Sequence, residues 1–119
     1  MGTPIIYGIP TCDSCRKTIA WFKTHQIAFE FHDLRADGAP TEADIRAWCT
    51  QLGWKSLLNR RSTTFRSLDR ADQLVDSAEE AIALMVRHPL LLKRPVIETE
   101  KGIVAGFDPD RIQGLFTHA

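Results

Sequence analysis

The sequence predicts an α/β protein in which a strand–helix–strand unit and a strand–strand–helix unit flank a helical insertion. Three observations carry this. Short apolar segments at residues 4–7 and 27–31 bracket a stretch with helical spacing, and a helix between two strands implies that those strands run parallel. The middle of the chain, from about residue 37 to 89, holds helix-start signals and no strand alternation. Beyond it, Val96-Ile97 and Ile103-Val104-Ala105 flank a polar turn ending in Gly102, which is a hairpin pattern.

The first strand is apolar and gives way to Gly8 and Pro10, read as the loop that follows it. Helical spacing then starts near Cys12, with Cys15, Ile19 and Phe22 on one face. Ile27, Phe29 and Phe31 alternate with Ala28 and Glu30, the period of a strand. Asp37, Gly38 and Pro40 break that pattern. Thr41 with Asp44 then forms a shortened capping box, opening a helix whose buried face is Ile45, Trp48, Cys49 and Leu52 and whose stop is Gly53. Residues 57–68 are polar and Arg-rich, and read as a short helix with a loop. Ser77 and Glu80 form a second box, and that helix runs to about Arg87, before His88-Pro89. Asp108 caps a last helix with Pro109 at its first position, and Ile112, Leu115 and Phe116 form its apolar stripe. This is the order of a thioredoxin-like fold with its middle helix expanded. Residues 1–119 are expected to form one domain, its core at about 1–36 and 90–119 and its helical lobe at about 37–89.

Composition narrows the function classes. Apolar residues make up 44% of the 119 and charged residues 25%, ordinary for a soluble globular chain. Fifteen basic side chains balance fifteen acidic ones, without the basic excess expected of direct nucleic-acid binding. No run approaches the roughly 20 apolar residues that cross a bilayer, and the N-terminus lacks a signal-peptide pattern. A cytoplasmic location and no membrane partner are the expectation. Three cysteines are too few, and odd in number, for a disulfide framework.

The chemistry concentrates at Cys12-Asp13-Ser14-Cys15, after a strand and at the start of a helix. Positions i and i+3 share a helix face, so the two sulfurs can approach. The unpaired N–H groups and positive dipole end at a helix N-terminus favour a thiolate at Cys12. Arg16 adds positive charge nearby, and Asp13 opposes it. Cys12 is therefore the candidate nucleophile and Cys15 the candidate resolving thiol. A zinc site is disfavoured, because Cys49, His25 and His32 would have to converge from separate elements. No metal is expected. Cys49 reads as a buried structural thiol, His88 as a helix-end cation, and His25 and His32 as solvent-facing or locally bonded.

Three segments together resemble the arsenate reductase (ArsC)/Spx/YffB family, a thioredoxin-like group with a helical insertion. They are residues 7–17, with the Pro10-Thr11-Cys12 run; residues 53–68, from Gly53-Trp54 through Asn59-Arg60-Arg61; and residues 88–97, ending Lys93-Arg94-Pro95-Val96-Ile97, with Gly106-Phe107 beyond. Residues 31–38 echo the Phe-His-Asp-x-Arg-x-Asp-Gly of the YffB-like branch. The resemblance implies that Cys12 is the attacking cysteine and that Arg94 binds the anion and steadies the thiolate. Arg60 or Arg61 would be a second anion-binding arginine. Pro95 would be a cis-proline holding backbone beside Cys12, with Thr11 close by.

Two departures modify this. Phe107 stands where a third arginine of glutaredoxin-coupled arsenate reductases is expected, and Cys15 makes a pair where arsenate reductases of that branch carry one cysteine. The expected function is a glutathione-linked thiol oxidoreductase acting on a small thiol, a mixed disulfide or an oxyanion. It would hold no cofactor of its own, and glutathione or glutaredoxin would be the reductant. The alternative is an Spx-like redox-sensing regulator, binding the RNA polymerase α subunit through a Cys12–Cys15 switch.

Overall fold

The computed structural model describes residues 2–116. Two compact units divide the chain: one formed by the residues through Gly38 together with those from Arg94 onward, the other by Ala39–Lys93.

The first unit is built on a four-stranded sheet in the order β2-β1-β3-β4. Strand β1 (Ile5–Gly8) pairs parallel with β2 (Glu30–Asp33) and antiparallel with β3 (Val96–Thr99), which forms a hairpin with β4 (Gly102–Ala105). Helix α1 (Asp13–Thr24) connects the parallel pair. This is the α/β topology that the element order predicts. Register places Ile6 opposite both Phe31 and Ile97, so one face of the sheet is apolar. Ile6, Ile97 and Val104 on that face pack with Phe22 of α1 and Ile112 of the last helix, α7 (Pro109–Gly114). Asp108 caps α7 through Arg111 N–H, as the Asp-Pro pair predicts.

Two boundaries differ from the sequence reading. Gly8 lies inside β1 rather than in the loop. The second strand begins at Glu30, not Ile27, because its partner begins at Ile5 and the register sets Ile5 opposite Glu30. Ile27 and Phe29 precede the pairing and pack against the core as partly buried side chains.

The second unit is helical throughout. Its long helices are α2 (Glu42–Leu52) and α6 (Ala78–Arg87), which pack on each other. Both arms of the Thr41/Asp44 box are present. At α6, Ser77 Oγ accepts from Glu80 N–H and donates back to the Glu80 carboxylate, so the return arm ends on the hydroxyl. Trp48, Ile45 and Met85 are fully buried here. The expected short helix and loop of residues 57–68 is instead a chain of single turns, α3 (Trp54–Leu57) and α4 (Thr63–Arg66), followed by α5 (Arg70–Gln73). One-turn helices leave no 3.6-residue period to read. A 3-10 turn at Pro89–Leu91 leads to Leu92, which bridges antiparallel to Leu58 and closes the unit on itself.

Candidate active site

Cys12 is the N-cap of α1, with extended backbone (φ −79°, ψ 129°). Its N–H donates to Ile9 O (3.1 Å), and its carbonyl accepts from Arg16 N–H (3.0 Å), which starts the helix. The side chain is half-buried. Burial alone would push the thiol pKa up. It is overcome by the Cys15 backbone N–H, the Cys15 thiol, the Ser14 N–H and the Arg94 guanidinium, which together hold Cys12 below its ordinary value. The sulfur closes no capping hydrogen bond of ordinary geometry onto the first turn. Those N–H groups still face it closely enough to favour the charged form.

Cys15 is the opposite case. It is fully buried, and burial together with the adjacent Cys12 charge pushes its pKa up to about 12, against the pull of the Ile9 backbone and Arg94. At neutral pH it is a thiol that donates toward the Cys12 sulfur. Both cysteines are unbridged. The chemistry available is therefore one half-exposed thiol biased toward its thiolate, with a protonated thiol beneath it.

Arg94 is half-buried and bears on both sulfurs. The Arg94–Pro95 peptide is cis, and Pro95 O accepts from Gly106 N–H (2.7 Å). Thr11 is exposed and directly precedes the nucleophile. Arg16 is exposed and paired with Asp13 (3.6 Å), which also holds Lys17 (3.3 Å). These exposed pairs are worth little energetically, but they place mixed charge along the open side of α1. Phe107 packs onto the apolar core, so a side chain that contributes burial stands where the resemblance led one to look for a third guanidinium.

Arg60 and Arg61 belong to the helical unit, and the structure separates their roles there. The Arg60 guanidinium lies 5.6 Å from the Trp54 ring and 5.9 Å from Phe65, and donates to Val75 O (3.1 Å). It is braced by cation–π contacts within its own unit. Arg61 is exposed, and its backbone N–H donates to Asn59 Oδ1 (3.1 Å). Cys49 is buried and its pKa is raised by that burial, as expected of a structural thiol. His25 bonds through Nδ1 to Trp21 O and stacks on that indole, and His32 bonds to Gly38 O. Among the described residues, no cluster of three or more His, Cys, Asp or Glu side chains is arranged to hold a metal ion. No helix there is long and apolar enough to cross a membrane.

One neighbour escaped the sequence reading. Gly8 lies against the Cys15 sulfur. A glycine inside an apolar strand is a recognised sign of close approach, but here it read as loop punctuation.

The family model for the ArsC family matches residues 7–115, nearly the whole chain. The chain belongs to the ArsC family. Among curated proteins it is 35% identical to the regulatory protein MgsR of Bacillus subtilis, over 92% of this chain and 86% of that one. It is 33% identical to the global transcriptional regulator Spx of Streptococcus mutans, over 89% and 77%. Among solved structures, one called YFFB protein superposes with a TM-score of 0.91 at 38% identity, covering 97% of this ArsC-family chain and all of the other. Two of these relatives are thus transcriptional or regulatory proteins by name.

Proposed function

We propose that this ArsC-family protein is a glutathione-linked thiol oxidoreductase with Cys12 as its nucleophile. The observation that carries the reading is the asymmetry of the pair: a half-exposed Cys12 whose pKa is lowered beside Arg94, over a buried, protonated Cys15. With a glutathione mixed disulfide as substrate, the Cys12 thiolate attacks the glutathione sulfur, and a Cys12–glutathione disulfide forms as the original S–S bond breaks. The other thiol leaves as thiolate and takes a proton from solvent. A second thiol then resolves the Cys12–glutathione disulfide. If it is glutathione, it attacks the glutathionyl sulfur, Cys12 leaves as the regenerated thiolate, and the product is glutathione disulfide. If it is Cys15, which must first lose its proton, it attacks the Cys12 sulfur, glutathione leaves as thiolate, and a Cys12–Cys15 disulfide forms. Glutathione is the electron donor in the first route directly, and in the second by a further step in which two glutathione molecules reduce the Cys12–Cys15 disulfide and leave as glutathione disulfide. Arg94 disperses negative charge on the sulfurs as it shifts between them. Arg94 is also the proposed ligand for an oxyanion such as arsenate.

The test is turnover of a glutathione mixed disulfide, and separately of arsenate, by wild type, Cys12→Ser and Cys15→Ser. Loss of all turnover in Cys12→Ser is expected, and retention would overturn the assignment. Full turnover in Cys15→Ser would remove its resolving role and leave Cys12 intact.

A second reading is favoured by the kinship to MgsR and Spx. Here the same two thiols form a switch, and the helical unit docks on the RNA polymerase α subunit. Binding to that subunit, in either the oxidised or the reduced form, would support it. Absence of binding in both would exclude it.

A further inference from the structure

We propose that Gly8 is the positioning residue of this site: its missing side chain makes the space that the Cys15 sulfur occupies, and so sets that sulfur beside Cys12. This deepens the thiol-chemistry reading and rests on it.

The backbone gives no other reason for glycine at this position. Gly38, Gly53, Gly102 and Gly106 have positive φ, where L side chains are strained, but Gly8 is not among them. It is an ordinary strand residue, opposite Asp33 in the register of β1 and β2, and its carbonyl accepts from Leu34 N–H (2.8 Å). What excludes a side chain is space. A Cβ at Gly8 would overlap the Cys15 Sγ, while it would sit 3.4 Å from Cys15 Cβ and 3.7 Å from the Phe31 ring, both tolerable contacts. The sulfur alone is in the way.

The sulfur has little room to yield. Cys15 lies in the first turn of α1, fully buried, with Thr18 and Phe22 below it on the same face also fully buried. Thr18 is itself tied back to Ser14 O (2.8 Å). Helical backbone disfavours one of the three χ1 wells outright. A methyl group at position 8 therefore either rotates Cys15 Sγ away from Cys12 or pushes β1 and α1 apart. Either outcome weakens the thiol's donation to the Cys12 sulfur. The atoms nearest a Cβ at Gly8 belong to Cys15 and Phe31, and Gly8 acts on the site through Cys15.

The experiment is a cycle of four proteins: wild type, Gly8→Ala, Cys15→Ala and the double variant. Iodoacetamide alkylation is followed against pH on the peptide that carries Cys12, and thermal unfolding is measured in parallel. In the Cys15 background, Gly8→Ala raises the alkylation midpoint by about one pH unit, the size of a lost hydrogen bond to a charged group, and lowers the unfolding temperature. In the Cys15→Ala background, the same substitution changes neither. An equal effect in both backgrounds, or no effect in the first, overturns the proposal. If Gly8→Ala alone fails to fold, recovery of folding in the double variant supports the proposal, and failure of the double variant overturns it. A wild-type Cys12 that resists alkylation across the pH range would instead refute the thiolate nucleophile. The unfolding cycle would then still decide whether Gly8 answers to the Cys15 sulfur.

Discussion

Burial of the Cys15 thiol has a consequence for stability that is separate from catalysis. In the unfolded chain this thiol ionises at its ordinary value of 9.0; in the folded protein it holds its proton to about 12. Because the folded pKa is the higher one, the protonated native state is at full strength below pH 9 and loses ground as pH rises from 9 toward 12. Near pH 10 the unfolded thiol is about ten parts ionised to one, which lowers the unfolding free energy by about 1 kcal/mol; the loss grows toward about 4 kcal/mol by pH 12. The perturbation is Cys15→Ser, made in a Cys12→Ser background so that the neighbouring thiolate is absent from both proteins. That removes one of the forces raising Cys15, but burial, the larger one, remains. The assay is urea unfolding under a phosphine reductant at about pH 8 and about pH 10. The fixed cost of burying a serine hydroxyl cancels between the two pH values. The Cys15-containing protein should lose roughly 1 kcal/mol more than its serine counterpart over that interval. Equal losses would refute the claim that this thiol is desolvated in the folded state.

Three further outcomes follow from the same structure. Arg94→Gln removes a charge that lowers Cys12, so the pH midpoint for alkylation of Cys12 should move up, while Arg94→Lys moves it less; equal midpoints in all three proteins would take Arg94 out of the site. Trp48→Ala empties the largest fully buried side chain of the helical unit and should cost about 3–5 kcal/mol in denaturant unfolding. Thr41→Ala deletes the hydroxyl arm of a complete capping box and should cost about 1 kcal/mol by the same measurement.

How much of this was legible depended on how local each signal was. The α1 start, the Asp108-Pro109 cap and the Thr41 box are written within four residues of one another, and the structure has them where the sequence places them. The second strand was misplaced by three residues because its start is decided by β1, a partner more than twenty residues away in the chain. The single turns after Gly53 were unreadable, since one turn carries no period. The site divides in the same way. Cys12 and Cys15 stand out from spacing and context alone, whereas Arg94 entered only through the family resemblance, because nothing near it in sequence points at a thiol. The contact between Gly8 and Cys15 and the bracing of Arg60 are through-space relations, set by how a strand meets a helix and how single turns pack.

The antiparallel pairing of β1 with β3 has one more consequence. Gly8 ends β1, and Arg94 lies two residues before β3, whose first residue, Val96, is paired with Tyr7. The residue that seats one sulfur and the residue that charges the other thus both lie just beyond the Tyr7–Val96 rung. Tyr7 and Val96 are buried, and Val96 is also tied to Ala105 on its far side. Local opening of the sheet there would require breaking interior pairing, not fraying an edge, so its amides belong among the slowest to exchange with deuterium. The mutual placement of the thiols and the guanidinium is then as durable as the middle of the sheet, and the reacting groups need little reordering when a substrate arrives.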